Sequence, residues 1–290
     1  MNTLIFDRLG VLTDEVSQNI TEAFDWAERN RMKHVEIRMV DGKNIADFSD
    51  KELEQLLFEV EKRDLFVSGI ASPLFKCALD PSRPVASGDT FGQIEESVEN
   101  HFLKLERVIE ICKKLKSDKI RIFSFWREEN PSLYNADIIE HLKKAAKIAE
   151  ENGVLLLLEN ENSCNGGYAS EVAHVVRQVD SPSLKVLWDP GNEQYGGRPA
   201  FPEGYEEVRG LIGHVHLKDA FVDEKGQSRC VPIGEGSVPF FDQLQALIND
   251  GYEGLFTIET HYIPEGGTAK EGTQMTLEGL QKIWGVECEK

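Results

Sequence analysis

Eight short apolar runs alternate with segments of helical periodicity along the whole chain, and this alternation limits the fold more than any other feature. The runs occupy residues 3–6, 34–38, 65–70, 119–123, 154–159, 183–189, 212–217 and 254–259. They are often β-branched and show little polar alternation, as expected of strands covered on both faces of a parallel sheet. Helices are predicted between them at residues 20–30, 53–62, 92–115, 138–150, 170–179, 240–248 and 276–284, with a weaker one at 203–210. Ser49-Asp-Lys-Glu52 has the spacing of a capping box. Asn152-Gly153 and Asp250-Gly251 provide helix stops.

Such an order predicts an α/β fold. A single (β/α)8 TIM barrel typically needs about 250 residues, and the chain has 290. A doubly wound open sheet is the competing architecture. Four polar strand ends favour the barrel: Glu159, Asp189, His216 and Glu259 each close an apolar run, where barrel active sites are built. No linker, low-complexity tract or short repeat interrupts the pattern, so one domain over 1–290 is expected. Loop excess falls at 73–90, 160–168, 191–202 and 221–237, each after a strand end, where long loops shape pockets.

Three carboxylates and one imidazole from consecutive strand ends form a cradle for a divalent cation. An oxygen-rich set with a single His suits Mn²⁺ or Mg²⁺, with Co²⁺ and Zn²⁺ as alternatives. Buried carboxylates are costly unless paired or metal-bound. The pattern thus points to a metal enzyme acting on an oxygen-rich small molecule.

Composition narrows the partners. The net charge of −19 repels phosphate backbones and anionic lipid, so neither nucleic acid nor membrane is expected as a partner. No uninterrupted apolar run approaches membrane-spanning length. The N-terminal residues lack the basic and apolar segments of a signal peptide. Five cysteines without CxxC spacing argue against a disulfide framework or thiolate zinc site and for a reduced, cytoplasmic setting.

Several stretches together carry a family resemblance: Val35-Glu-Ile-Arg38, Leu157-Leu-Glu159, Trp188-Asp-Pro-Gly-Asn192, Gly213-His-Val-His-Leu-Lys-Asp219, Gly234-Glu-Gly236 and Thr257-Ile-Glu259. By these the chain resembles the xylose-isomerase-like TIM-barrel superfamily, in its sugar isomerase/epimerase branch, over essentially its full length. The resemblance implies one divalent metal on Glu159, Asp189, His216 and Glu259, with Glu159 and Glu259 also the proton-transferring pair. It implies a carbohydrate substrate and, from relatives, a homodimer or homotetramer. Ketohexose epimerases of this family carry a His three residues after the metal Asp and an Arg six after the metal His. This chain has Asn192 and Val222 there, which argues against that particular activity.

The expected chemistry follows. A cation on a carbonyl and a neighbouring hydroxyl stabilises the enediolate left when the adjacent proton is removed, and a carboxylate base contributes ~10²–10⁴-fold. Proton return to the opposite face gives epimerisation. Return to the next carbon gives isomerisation, and loss of a β-hydroxyl gives dehydration. An inosose-dehydratase-like lyase is therefore the alternative to an isomerase or epimerase, and a non-catalytic sugar-binding barrel is a third reading. A DNA-repair nuclease of this fold would need a trinuclear zinc cluster with many histidines and a basic face, whereas this chain has seven histidines and a net charge of −19.

Around the four central residues, Arg38, Lys76, Trp126, Asn192, Lys218 and His261 are candidate substrate contacts. Each has a plainer alternative: Arg38 as an ion pair with Glu36, Lys76 as a solvated loop lysine, Trp126 as packing, Lys218 as a salt bridge to Asp219 or a nearby ligand carboxylate. His214 is expected in support of His216. His34, His101, His141 and His174 are read as surface or packing residues. Glu235 argues for an unphosphorylated substrate.

Overall fold

The computed structural model describes residues 4–285. Eight parallel strands close into a barrel: β1 (Leu9–Leu12), β2 (His34–Ile37), β3 (Phe66–Leu74), β4 (Lys119–Ile122), β5 (Leu155–Glu159), β6 (Leu184–Trp188), β7 (Ile212–Leu217) and β8 (Phe256–Ile258). Each strand pairs with its neighbour in sequence, and β8 closes on β1 with Leu9 opposite Phe256. This is a single (β/α)8 barrel.

The helices are α1 (Ile20–Arg29), α2 (Asp50–Glu61), α3 (Val98–Lys114), α4 (Asn135–Asn152), α5 (Ala169–Val179), α6 (Pro190–Tyr195), α7 (Tyr205–Val208), α8 (Phe240–Asn249) and α9 (Ala269–Trp284). The long ones turn an apolar face onto the strands, as Phe24, Leu105, Leu142 and Leu244 do, all fully buried. The Ser49–Glu52 capping box is present in both directions. No helix among the described residues is long and apolar enough to cross a membrane.

Four expectations need correction. The first strand is not at 3–6. Phe6–Arg8 is a 3-10 turn and the strand follows at Leu9–Leu12; Thr3 lies outside the described residues. The true strand contains Gly10, which weakens its apolar signal. The fold needs that glycine, because a Cβ there would collide with the buried ring of His34. The helix expected at 92–115 begins only at Val98, where Ser97 takes the Asn100 N–H at 3.3 Å. Residues 92–97 extend the preceding loop. The helix expected from 276 begins at Ala269, behind a Thr268–Glu271 capping box. The loops at 191–202 and 221–237 are partly ordered: α6 fills the start of one, and an antiparallel ribbon of Asp219–Val222 with Ser228–Val231 fills the other.

Candidate functional site

Glu159 ends β5, Asp189 follows β6, His216 is the penultimate residue of β7 and Glu259 follows β8. The four supply one ligand atom each within 4.8 Å of one another. All are at most 2% exposed. His216 Nδ1 stands 2.9 Å from Glu259 Oε2 and 3.5 Å from Glu159 Oε1.

The local sequence aims Asp189. It is the N-cap of α6, and its Oδ1 accepts the Asn192 N–H at 3.0 Å. Its backbone is held by Asn160, which accepts the Asp189 N–H at 2.9 Å and donates to the Asp189 carbonyl at 2.8 Å. Asp189 Oδ2 is left buried without a hydrogen-bond partner; the Lys218 ammonium is 2.8 Å away but not aligned for one. An unsatisfied acceptor beside two carboxylates and an imidazole nitrogen is what a divalent cation would complete. The donor set fits Mn²⁺ or Mg²⁺.

Beneath this cluster Glu36 Oε2 meets His216 Nε2 at 3.1 Å and His214 Nε2 at 3.2 Å. A proton on His216 Nε2 bonded to Glu36 leaves Nδ1 to the acidic cluster. The expected Glu36–Arg38 ion pair is therefore not formed. Two residues apart on one strand face, the two side chains occupy successive layers of the barrel. Glu36 serves the histidines and Arg38 serves acids nearer the mouth.

Three buried cations surround the carboxylates. Arg38 commits every nitrogen: Nε to Asp14, Nη2 to Glu15 and Nη1 to Glu259, each at 2.8 Å. Arg121 Nη1 lies 3.2 Å from both Glu159 Oε2 and Glu259 Oε1. Lys218 Nζ reaches Asp189, and Glu259 at 3.4 Å, rather than Asp219. Asp219 instead accepts the N–H groups of Ala220, Gly234, Gly236 and Val238 at 2.9–3.1 Å. Gly191 leaves room for the lysine stem, since a Cβ there would lie 2.7 Å from Lys218 Cβ.

The remaining candidates lie on the same face. His261 Nε2 is 3.2 Å from Glu15 and 3.5 Å from Glu259. The Asn192 amide donates to the Asn160 carbonyl at 2.8 Å and is 3.5 Å from Glu159 Oε1. Lys76 is buried rather than solvated, bonded to the Asp89 carbonyl at 3.1 Å, and Trp126 is buried beside it.

Burial raises the proton affinity of every carboxylate here, and neighbours decide the outcome. For Glu259 burial is outweighed by Lys218, His216 and His261, which hold it well below the usual range. For Glu159 Arg121 does the same to a lesser degree. Burial wins at Asp189, pushed up to about 6 despite Lys218. Burial disfavours charge on His216, but Glu36 and Glu259 hold it well above the ordinary value.

Sequence reasoning missed Asp14, Glu15, Phe91, Arg121 and Asn160. Arg121 had a signal: an arginine inside the run Lys119-Ile-Arg-Ile122 must find buried acids. Phe91 had none, since it reaches the site from the middle of a long loop; its ring centroid lies 4.6 Å from Arg38 Cζ and 5.1 Å from Arg121 Cζ.

Residues 16–282 match the family described as Xylose isomerase-like TIM barrel. The chain belongs to this xylose isomerase-like TIM-barrel family. Other proteins of similar sequence include an uncharacterised protein of Methanocaldococcus jannaschii, 30% identical over 59% of this chain and 60% of that one. A fructoselysine 3-epimerase of Escherichia coli O157:H7 is 27% identical over 47% of this chain and 50% of its own. An inosose dehydratase of Geobacillus thermodenitrificans is 23% identical over 44% and 47%. The chain thus spans about half the length of these relatives. Among solved structures, the IOLI protein with a binding zinc atom superposes with a TM-score of 0.71 at 17% identity, covering 96% of this chain and 98% of that one. A xylose isomerase-like TIM-barrel protein of Mycobacterium smegmatis in complex with magnesium gives 0.66 at 18% identity, covering 91% and 89%. At such identities these two speak for the barrel alone.

Proposed function

We propose that this chain is a divalent-metal-dependent sugar isomerase or epimerase acting on a keto-sugar or polyol-derived ketone. One observation carries the reading: four ligand atoms from four consecutive strand ends converge within 4.8 Å, all buried. The names of the epimerase and dehydratase relatives support a carbohydrate substrate, and the buried Asp189 Oδ2 without a hydrogen-bond partner supports a metal. Glu159, Asp189, His216 and Glu259 would hold Mn²⁺ or Mg²⁺. The ion would supply Lewis-acid stabilisation of negative charge on a substrate oxygen.

The protein's own groups do the rest. Glu159 and Glu259 flank one space, each 3.2 Å from Arg121 Nη1. One removes the proton beside the carbonyl and later releases it to solvent; the other takes a proton from solvent and delivers it to the same or the neighbouring carbon. Arg38 fixes Glu259 against Asp14 and Glu15, so the base keeps its direction while the substrate reacts. Lys218, His261 and Asn192 stand where substrate hydroxyls would be held. A cytoplasmic setting belongs to the same proposal, supported by unpaired thiols at Cys77, Cys112, Cys164 and Cys230.

The test is turnover of keto-sugars and inososes with Mn²⁺ in D₂O. A deuterated isomer supports the isomerase or epimerase. Loss of water with an absorbing enone assigns the dehydratase reading, which the inosose dehydratase relative favours. Complete inertness towards the panel counts against both.

A further inference from the structure

Four lysine or arginine side chains are buried among the described residues: Arg38, Lys76, Arg121 and Lys218. Three of them meet carboxylates. Lys76 does not. It is 4% exposed, and its Nζ donates one hydrogen bond, to the Asp89 carbonyl at 3.1 Å. An ammonium carries three donors. Its other neighbours are aromatic faces: the ring centroids of Phe123 at 4.4 Å, Phe91 at 4.6 Å and Trp126 at 5.8 Å. Trp126 is 1% exposed, and its indole N–H is buried without an acceptor. Phe123 and Trp126 form with Cys164 a small apolar cluster separate from the main core. A charge in so dry a box interacts strongly with any anion that enters.

The box adjoins the acidic cluster. Arg121 Cζ lies 5.1 Å from the centroids of both Phe91 and Phe123, and the same guanidinium touches Glu159 and Glu259. Lys76 follows β3 on the catalytic face. Phe91, one wall of the box, is only partly buried.

From this arrangement we infer that Lys76 and the Trp126 indole form a subsite for a carboxylate on the substrate, so that the chain takes a keto-sugar acid rather than a neutral sugar. The inference rests on the proposed metal site as the place where the other end of that molecule reacts. One ammonium and one neutral N–H match a singly charged, planar carboxylate. A phosphate dianion would want a second cation, and the nitrogens of Arg38 and the Nη1 of Arg121 are already committed to acids.

The test compares D-gluconate with D-glucitol, which differ in one terminal group, by calorimetric titration of the Mn²⁺-loaded protein. A charge-assisted hydrogen bond of this kind is worth about tenfold or more in affinity. Gluconate is expected to bind at least about tenfold tighter than glucitol to the wild type. Lys76→Met, which keeps the stem in the box, is expected to bring the two within about threefold, and Lys76→Arg to restore most of the gap. Equal affinities in the wild type overturn the inference, whatever the variants do. So does a preference that survives Lys76→Met, because the carboxylate then sits elsewhere, on the metal ion for instance. Tighter binding of D-glucitol 6-phosphate than of gluconate overturns the choice of carboxylate. Mn²⁺ uptake by electron paramagnetic resonance in the same samples reports on the metal site separately. Ion binding without gluconate preference sinks this subsite alone, and gluconate preference without ion binding sinks the metal reading alone.

Discussion

The two halves of the barrel contribute opposite charges. β5 to β8 present Glu159, Asp189, His216 and Glu259 to one point. β2 and β4 send Arg38 and Arg121 across the barrel to those acids. The acids of the first half, Asp14, Glu15 and Glu36, are spent on Arg38 and on the two histidines. Lys218, a cation of the later half beside Asp189 and Glu259, also departs from the division. On the proposed function the later half would carry the reactive and ion-holding groups. The earlier half carries counter-charge that keeps several buried carboxylates ionised at tolerable cost.

This division can be broken experimentally. The largest effect is expected in the later half. Glu159→Gln and Glu259→Gln should each lose turnover by ~10²–10⁴-fold while remaining folded by circular dichroism. Full activity in both would remove the reactive role from that half. Next comes Arg121→Met, which leaves Glu159 and Glu259 buried without their shared cation. Urea unfolding should show a loss of about 3–5 kcal/mol. Mn²⁺ should recover part of it, raising Tm more in the variant than in the wild type; equal shifts would show that ion and guanidinium do not share the same acids. Mn²⁺ at a hundred times its Kd should stabilise the wild type by about 2.7 kcal/mol, read as a Tm rise that EDTA reverses. No rise would leave the later half without an ion.

The smallest effect concerns Glu193 on α6, next to the site. Burial pushes its carboxyl up to about 7 against the opposing Ala169 N–H. Its folded pKa is above the ordinary 4.5, so the protonated form belongs to the fold. Its stabilising contribution is complete below about pH 4.5 and is lost as pH rises through 7. Glu193→Gln should flatten Tm between pH 5 and pH 8, and an unchanged slope would dissociate the residue from that dependence.

The same division explains what the sequence disclosed. In the later half each polar group ends a clean apolar run, so residues and strands could be read together; Ile212–Leu217 has its expected limits. In the earlier half the signals interfere. Gly10 hides β1, and Arg121 sits within a strand, where parity fixes its face but not its partners. Arg38 was visible, but its acids lie in the 3-10 turn Thr13–Glu15, far away in sequence. Lys76 was read as either solvated or substrate-facing, and only the path of its loop reveals the aromatic box. Pairings across a barrel depend on closure, which strand patterns do not encode.

Asp219 has a consequence for altering this molecule. Four backbone amides on one carboxylate pin both the start and the return of the 219–238 excursion. The ribbon's tip, residues 223–227, takes no part in that clasp. Cassettes of different length or charge can therefore be exchanged at the tip, while the base stays locked and the strand bearing His216 keeps its position.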